Sequence, residues 1–337
     1  MHFLVTGHTG FKGAWLCLLL KERGHQVSGF SDIAEEKSLF SMGHLVDLLD
    51  FDLRGDIREI DSIEAAYTEV KPDFVIHFAA QSLVRQSYLD PVSTIETNVS
   101  GTLNVLRTSQ NFKKLKGQLI VTTDKVYRNV GKSRGYTETD ALGGQDPYSA
   151  SKAMADIATQ SWLKSFENPA TAIARAGNVI GGGDICSDRL IPDLVDSFKE
   201  NSHPMLRAPK SIRPWQHVLD CLNGYLILVD AVIQKNESGE WNFGPNENQA
   251  KSVADVANLS QSVWGSSKNW VQDSEAHPHE ATTLILNSDK AREKLGWQDK
   301  LNFEESINWT INWYKNVHNG NDPLEETLKN IRSFEAK

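Results

Sequence analysis

The sequence predicts an α/β protein with a doubly wound parallel sheet and a smaller C-terminal substrate-binding lobe. Short apolar segments alternate with longer helical segments through the first half of the chain. Such alternation favours a parallel sheet, because each crossover between parallel strands needs a connecting helix. We expect the sheet domain at residues 1–176, with 214–238 returning to it. The lobe then takes 177–213 and 239–337, where short elements, prolines and polar residues replace the alternation.

The elements follow from apolar runs and their boundaries. Pro91 and Pro147 stand at first-turn positions of two predicted helices, where a missing N–H has no cost. Strands are expected at 2–6, 26–30, 51–54, 73–79, 118–123 and 171–175, and helices at 11–23, 61–70, 91–110, 147–166 and 218–234, followed by a helical tail from 252 to 318.

A glycine-rich turn joins the first strand to the first helix. Gly7, Gly10 and Gly13 give the spacing Gly-x-x-Gly-x-x-Gly, which suits a tight turn and close backbone approach to a pyrophosphate at a helix N-terminus. The glycines alone also fit an ordinary βα turn. Asp32 ends the second predicted strand, where a carboxylate accepts hydrogen bonds from both adenosine ribose hydroxyls and repels a 2′-phosphate. The sequence therefore predicts NAD rather than NADP, the alternative being that Asp32 merely begins a loop.

The predicted cofactor contacts gather at the carboxyl ends of the strands, where such sheets bind ligands. They are Gly7, Thr9, Gly10, Phe11, Lys12, Gly13, Asp32, Asp56, Ile57, Ala79, Ala80, Gln81, Asn98, Thr122, Tyr148 and Lys152.

Two segments carry the predicted chemistry. Thr123, Asp124 and Lys125 follow an apolar strand, and Tyr148 and Lys152 lie four residues apart on one helix face. A phenol ionises near pH 10, and a neighbouring ammonium lowers that pKa. With Thr123 bonded to the reacting oxygen, the phenolate could take a proton from an alcohol while a cofactor takes the hydride.

Composition excludes several partners. A net charge of −9 disfavours nucleic acid and anionic membranes. No apolar run reaches the length of a membrane span, and a strand beginning at His2 leaves no room for a signal peptide. Three cysteines show no metal or disulfide spacing, which favours reduced thiols in the cytoplasm. The run from His277 to Glu280 has no third ligand at a sensible spacing, so no metal site is predicted. An anionic substrate would need local arginines, and Arg175, Arg189 and Arg213 are the candidates.

Several stretches together resemble a known family. The runs VTGHTGFKG from Val5, QSLVR from Gln81, TDKVY from Thr123 and DPYSASK from Asp146 resemble the extended short-chain dehydrogenases/reductases that act on nucleotide sugars, which have a Rossmann fold. A second set is similar to the CDP-glucose 4,6-dehydratases within that family. It comprises RAGNVIGGGD from Arg175, DRLIP from Asp188, IRPWQHV from Ile212 and WNFGP from Trp241.

The resemblance implies a substrate, a reaction and an assembly. The substrate is a nucleotide sugar, CDP-glucose by this likeness, and the assembly is a homodimer or higher oligomer through the helices at 91–110 and 147–166. Tyr148, with Lys152 and Thr123, deprotonates the 4-hydroxyl as NAD takes the C4 hydride. Asp124 then protonates the departing 6-hydroxyl, and the hydride returns to C6. The implied substrate contacts are Gln81, Ser82, Arg85, Arg175, Asn178, Arg189, Leu190, Arg213, His217 and His279.

The chain departs from the commoner family pattern at Lys125. Related dehydratases have a glutamate at this position, which removes the C5 proton, whereas a lysine near its reference pKa of about 10.4 is a poor base. Two hypotheses follow. Lys125 is desolvated enough to act as a neutral amine, or it stays charged and stabilises the enolate while another group, such as Tyr148, takes the proton.

Three other activities remain as alternatives. A nucleotide-sugar 4-epimerase shares the alcohol oxidation but needs no acid, and epimerases of this family usually carry a small hydroxyl residue where this chain has Asp124. An alcohol dehydrogenase would release NADH. A non-catalytic NAD-binding sensor would typically lack the Tyr-x-x-x-Lys pair.

Overall fold

A computed structural model describes residues 1–132, 134–274 and 284–337. Its strands are β1 (His2–Thr6), β2 (Gln26–Ser31), β3 (Phe51–Arg54), β4 (Phe74–His77), β5 (Gly117–Val121), β6 (Ala170–Ala176), β7 (Asn178–Ile180), β8 (Met205–Leu206), β9 (Ile212–Arg213), β10 (Trp215–His217), β11 (Gly239–Phe243), β12 (Lys251–Ser252) and β13 (Val271–Gln272).

The helices surround the main sheet and build the smaller lobe. They are α1 (Phe11–Glu22), α2 (Leu39–Met42), α3 (Ile60–Val70), α4 (Val84–Leu89), α5 (Pro91–Ile95), α6 (Gly101–Asn111), α7 (Pro147–Ser165), α8 (Leu190–Lys199), α9 (Val218–Lys235), α10 (Val253–Trp264), α11 (Asp289–Leu295), α12 (Phe303–His318) and α13 (Pro323–Glu335). Short 3-10 turns lie at Leu45–Leu48, Asp124–Val126 and Glu247–Gln249, and a π-helical turn lies at Glu96–Ser100.

Within the described residues, seven strands form one parallel sheet in the order β3-β2-β1-β4-β5-β6-β11. Successive strand residues enter different cores, because side chains alternate between the two faces of a sheet. Phe3 and Val5 pack with Trp15 of α1 and with α9, whereas Leu4 packs with Val105 of α6. The prediction of a doubly wound parallel sheet is therefore confirmed.

The structure corrects two predicted boundaries. The strand β11 pairs with β6, so the returning segment continues through Phe243 rather than ending at residue 238. The single helix predicted at 91–110 is α5 and α6 joined by the π turn, which carries the buried residue Asn98. π turns are often found at functional sites. The C-terminal helix α13 was not predicted, since its apolar positions are few.

The smaller lobe shares its core with one face of the sheet. Helices α8, α10 and α12 pack together beside the two-stranded pairs β7–β10 and β9–β12. Phe198, Ile307 and Trp313 of these helices belong to the same buried cluster as Trp15 of the sheet domain. The lobe therefore stands over the carboxyl ends of the strands, where ligands of parallel sheets bind. In the described part of the chain, every helix is too short or too polar to cross a bilayer.

Candidate active site

The glycine turn after β1 is closely packed on itself. Gly7 has a φ of +72°, and an ideal Cβ there would lie 2.7 Å from the amide nitrogen of Ala79. At Gly13 a Cβ would lie 2.7 Å from the Cα of His8 and closer still to the carbonyl oxygen of Gly7. Both positions therefore require glycine, and the first turn of α1 packs directly against the loop. This backbone arrangement is the cradle that the spacing predicts.

The N-terminus of α1 can receive an anion. Gly10 caps the helix without a side-chain hydrogen bond, and no acidic residue lies in the first turn. The first N–H groups of a helix lack intrahelical acceptors and carry a partial positive charge. Lys12 adds an amine whose nitrogen lies 5.8 Å from the ring centre of Phe78 and 5.9 Å from that of Tyr225. Burial lowers the pKa of Lys12. A pyrophosphate fits this combination of donors.

The adenosine end of the predicted site is formed by the ends of β2 and β3. Asp32 is exposed, and its Oδ1 accepts the N–H of Ile33 at 2.8 Å. The hydroxyl of Thr9 lies 2.8 Å from that of Ser31 and donates to the carbonyl of Ile33 at 2.6 Å, so Thr9 fixes this turn from inside. Asp56 is paired with Arg58. The buried Ile57 follows Asp56, and the half-buried Phe11, Ala79 and Ala80 complete the predicted floor.

The proton-transfer groups lie where β5 ends. Thr123 Oγ1 donates to Asp124 Oδ1 at 3.0 Å, and the amine of Lys125 donates to the same oxygen at 3.1 Å. Asp124 is fully buried, and among the described residues its Oδ2 has no hydrogen-bond partner. A buried carboxylate oxygen without a donor is costly. It is thus placed to carry a proton or to face a ligand hydroxyl.

The pair Tyr148 and Lys152 lies on the first turns of α7, whose N-terminus is capped by the side chain of Asp146. The N–H of Tyr148 donates to Ser87 Oγ at 3.1 Å, and Lys152 Nζ donates to the carbonyl of Val121 at 2.9 Å. This contact brings α7 against the end of β5, so the two predicted catalytic segments meet.

The charges around the phenol differ from the expected arrangement. Burial raises the pKa of Tyr148, and the charge of Lys125 opposes this most strongly, followed by the neighbouring Thr123 hydroxyl. Lys152 was expected to have that effect, but its amine is bonded to Val121. Burial and the charge of Lys12 lower the pKa of Lys152 to about 8. Burial also lowers the pKa of Lys125, but the Asp124 carboxylate outweighs it and the net shift is upward. While Asp124 is a carboxylate, the amine of Lys125 is therefore a protonated ammonium.

Three predicted substrate contacts meet across the mouth of the site. Arg189 donates to Asp184 at 2.9 Å and to the hydroxyl of Ser82 at 3.0 Å. Arg85 pairs with Asp188 at 3.1 Å. The loop after β4 is thereby joined to the segment before α8. Asp184 was not predicted as a site residue, although it lies close to Arg189 in the sequence.

The remaining substrate predictions fall on the lobe. Asn178 begins β7 and Leu190 begins α8, both half-buried. Arg213 is buried in β9, with one nitrogen donating to the carbonyl of Ile212 at 3.0 Å. His279 lies outside the described residues.

Two predicted substrate contacts are wrong. Arg175 is fully buried, and its Nε and Nη2 donate to the two oxygens of Asp156 at 2.8 and 2.7 Å. His217 is 1% exposed, lies between the rings of Trp15 and Trp309, and accepts the N–H of Leu219. Both side chains are buried and bonded to protein partners, which argues against the predicted substrate contact. Both sit at strand ends, where the sequence pattern does not distinguish a ligand contact from a buried polar residue.

Three side chains predicted at the cofactor or the substrate are held by protein partners. The hydroxyl of Thr122 donates to Asp156 at 3.0 Å, so its proton is not available for a hydrogen bond to the cofactor. Asn98 bonds the N–H and the carbonyl of Gln81 at 2.9 and 3.0 Å. The side-chain amide of Gln81 bonds Leu83 and Thr94. Asn98 and Gln81 therefore shape the loop after β4.

A sheet domain with a glycine turn, and with a tyrosine and a lysine one helical turn apart beside it, is the arrangement of an extended short-chain dehydrogenase/reductase. The chain belongs to the GDP-mannose 4,6 dehydratase family, whose family model matches residues 4–310. It is 42% identical to the CDP-glucose 4,6-dehydratase of Salmonella typhimurium, over 98% of this chain and 95% of that protein.

Solved structures share the fold over nearly the whole chain. The dTDP-glucose 4,6-dehydratase of Bacillus anthracis, in complex with NAD, is 25% identical, with a TM-score of 0.81 over 96% of this chain and 99% of that one. The UDP-glucose 4-epimerase of Thermotoga maritima, with UDP-glucose, is 21% identical, with a TM-score of 0.83 over 94% and 99%. The second likeness shows the fold alone.

Proposed function

We propose that the protein catalyses the NAD-dependent 4,6-dehydration of a nucleotide-activated hexose, and that this hexose is CDP-glucose. The product is the 4-keto-6-deoxy sugar nucleotide. The observation that carries the proposal is the buried Asp124: Lys125 and Thr123 donate to its Oδ1, and its Oδ2 has no partner in the part of the chain that the structure describes. Expulsion of a hydroxyl as water needs such an acid. The likeness to the Salmonella typhimurium enzyme supports the cytidine nucleotide.

The residues at the glycine turn fit NAD. The first turn of α1 and Lys12 would hold the pyrophosphate, and Asp32 would hold the adenosine ribose and repel a 2′-phosphate. When bound, NAD would accept a hydride from C4 of the sugar and return it to C6.

The chain's own groups move the protons. Tyr148 as phenolate takes the proton of the 4-hydroxyl, aided by the hydrogen bond of Thr123 and the charge of Lys125. The resulting 4-ketone acidifies the C5 hydrogen. Asp124, which accepts from Lys125 and Thr123 in this structure, takes up the proton released from the 4-hydroxyl and gives it to the 6-hydroxyl, which leaves as water. The arginines at the mouth of the site, Arg85 and Arg189, would exchange their present acidic partners for the diphosphate.

The charged state of Lys125 favours one of the two hypotheses on C5 deprotonation. Because the Asp124 carboxylate raises its pKa against the effect of burial, Lys125 stabilises negative charge rather than acting as a neutral amine. We therefore assign it to stabilising the enolate. Tyr148, a phenolate again once the proton of the 4-hydroxyl has passed to Asp124, remains the candidate for the base, and the proton taken from C5 returns to C5 as the hydride returns to C6.

An isotope experiment separates the proposed reaction from its alternatives. CDP-glucose with deuterium at C4 is incubated with the enzyme and NAD. Dehydration moves the deuterium to C6 of the product. An epimerase leaves it at C4, and a dehydrogenase leaves it in released NADH. Deuterium found at C4 of the product, or in free NADH, would overturn the proposal.

We also propose that the chain is a homodimer. Helices α4, α5 and α7 contact one another and expose several large apolar side chains. This dimer face consists of Tyr88, Leu89, Val92, Ile95, Met154 and Ile157, with Leu89 80% and Val92 64% exposed. A self-complementary apolar patch suits a two-fold interface.

Sedimentation tests the dimer. Leu89→Asp is expected to convert the protein to a monomer, whereas Ile33→Asp, at an exposed residue away from this face, leaves the dimer intact. A dimeric Leu89→Asp variant would contradict the assignment.

We place the protein in the cytoplasm, a compartment suited to its three free cysteines.

A further inference from the structure

Behind the predicted catalytic residues lies a buried network of Thr122, Asp156 and Arg175. Asp156 lies two helical turns after Tyr148 and one after Lys152, and it is fully buried. Its Oδ2 accepts from Thr122 Oγ1 at 3.0 Å and from Arg175 Nε at 2.8 Å, while its Oδ1 accepts from Arg175 Nη2 at 2.7 Å. The carboxylate of Asp156 therefore meets donors from the end of β5 and from β6.

Val121, the last residue of β5, and Thr122, which follows it, are each hydrogen-bonded to a side chain of α7. The carbonyl of Val121 accepts from Lys152 at 2.9 Å, and the hydroxyl of Thr122 donates to Asp156 at 3.0 Å. The next two residues are Thr123 and Asp124. The two cross-links thus fix the strand end that carries the acid against the helix that carries Tyr148.

Arg175 is itself held from the other side. Its Nη1 donates to the hydroxyl of Tyr127 at 2.8 Å, and this hydroxyl donates to Asn242 of β11 at 2.8 Å. The guanidinium neutralises Asp156, so the network adds no net charge beside Lys152. A buried ion pair is weak evidence for stability. A role in geometry is the better explanation for its position.

We propose that Asp156 and Arg175 are a positioning pair that acts through Thr122 to hold Thr123 and Asp124 at their working distance from Tyr148. Only the expected effect on kcat rests on the proposed function; the positioning role itself does not depend on the substrate. Small displacements of reacting groups reduce the rate of chemistry much more than they reduce binding. The pair touches no substrate, and its effect is exerted on the catalytic residues.

Thr122→Val tests the link with little change in volume, because it replaces only the hydroxyl that reaches Asp156. The kcat with CDP-glucose is expected to fall by about 10-fold to 100-fold, with KM changed by less than about twofold. Thr122→Ser restores the donor and should recover most of the kcat. Thr159→Val is the matched control, a fully buried threonine of α7 whose hydroxyl bonds only the carbonyl of Ala155. Equal kcat in Thr122→Val and Thr159→Val, or no recovery in Thr122→Ser, would overturn the proposal.

A second measurement needs no substrate. The ionisation of Tyr148 is followed as the difference in phenolate absorbance between each protein and its Tyr148→Phe counterpart. The groups that face this phenol are Thr123, Asp124, Lys125, Arg189 and Tyr225. In Thr122→Val the pKa of Tyr148 should rise, because displacement of the strand end weakens the influence of Lys125 and Thr123, which lower this pKa by more than Asp124 raises it.

The two measurements separate two kinds of failure. A Tyr148 pKa that is the same in Thr122→Val and in the parent protein would overturn the positioning role, whatever the substrate. Inactivity of the parent protein on every nucleotide sugar, with a raised Tyr148 pKa in the variant, would discard the proposed function and retain the positioning pair.

Discussion

The amine of Lys125 lies 3.1 Å from Asp124 Oδ1, and Asp124 Oδ2 is buried without a hydrogen-bond partner from residues 1–132, 134–274 or 284–337. Thr123 also donates to Oδ1, so this oxygen accepts two hydrogen bonds. Oδ2 is left to face a ligand. The asymmetry orients the acid. The Asp124 carboxylate also raises the pKa of Lys125 and so keeps its amine charged. The unusual lysine of this chain is thereby linked to the proton donor beside it.

Asp124→Asn is expected to stop water loss while sparing the first oxidation. The amide keeps the volume of the carboxyl group but cannot donate a carboxylic proton, so dehydration should slow by about 100-fold or more. Bound NADH, followed by its absorbance after mixing with CDP-glucose, should still form. Dehydration at the parent rate would show that Asp124 is not the acid.

Lys125→Met and Lys125→Arg distinguish the two hypotheses for this residue. A charge-stabilising role predicts that Lys125→Met slows exchange of the C5 proton with solvent by about 100-fold, and that Lys125→Arg keeps at least about tenfold more exchange than Lys125→Met. Arginine stays protonated in proteins. If both variants lost exchange equally, the neutral-amine hypothesis would regain support. Full exchange in Lys125→Met would contradict both.

Much of the site followed from the sequence because its residues lie at strand ends. The glycine turn, Asp32 and the Thr123–Lys125 segment each follow an apolar run, and parallel strands bring those ends to one edge. The Tyr148–Lys152 spacing placed both on one helix face. Such local patterns predict a site residue when its position depends only on the strand or helix that carries it.

The failures have a common physical cause. Arg175 and His217 also lie at strand ends, but the partners that bury them, such as Asp156 and Trp309, are distant in sequence. Burial depends on tertiary packing, which periodicity does not record. One clue was available, since Asp156 continues the spacing of Tyr148 and Lys152 along one helix face.

Gly13→Ala is expected to abolish tight NAD binding. A Cβ at this position overlaps the backbone of His8 and Gly7, so α1 must move away from the turn that receives the pyrophosphate. NAD affinity, followed by tryptophan fluorescence, should fall by about 100-fold or more. Gly24→Ala is the control, because this glycine follows the same helix and no described residue lies within 4 Å of its Cβ position; its φ of +76° strains the alanine locally, away from the turn that receives the pyrophosphate. Unchanged affinity in Gly13→Ala would contradict the placement of the cofactor.

Asp220 makes stability depend on pH. Burial raises its pKa to about 7 despite hydrogen bonds from the N–H groups of Lys300 and Leu301. Between about pH 4 and pH 7 the folded protein holds a proton at this site that the unfolded chain has lost, so the contribution of Asp220 to stability falls as the pH rises.

Urea unfolding at about pH 5 and about pH 7.5 measures this effect. Asp220→Asn should reduce the loss of stability between the two by on the order of a few kcal/mol. Asp230→Asn, at an exposed position of the same helix, should leave it unchanged. An unaltered pH dependence in Asp220→Asn would contradict the shifted pKa.

The most direct test of the central claim is a mass spectrum of CDP-glucose incubated with the purified protein and NAD, without added reductant. The account predicts a product lighter by one water, with no build-up of free NADH. Water loss only from a UDP, GDP or dTDP sugar would keep the mechanism and discard the cytidine nucleotide. An isomer of unchanged mass, NADH accumulation, or no reaction with any of the four sugars would contradict the account.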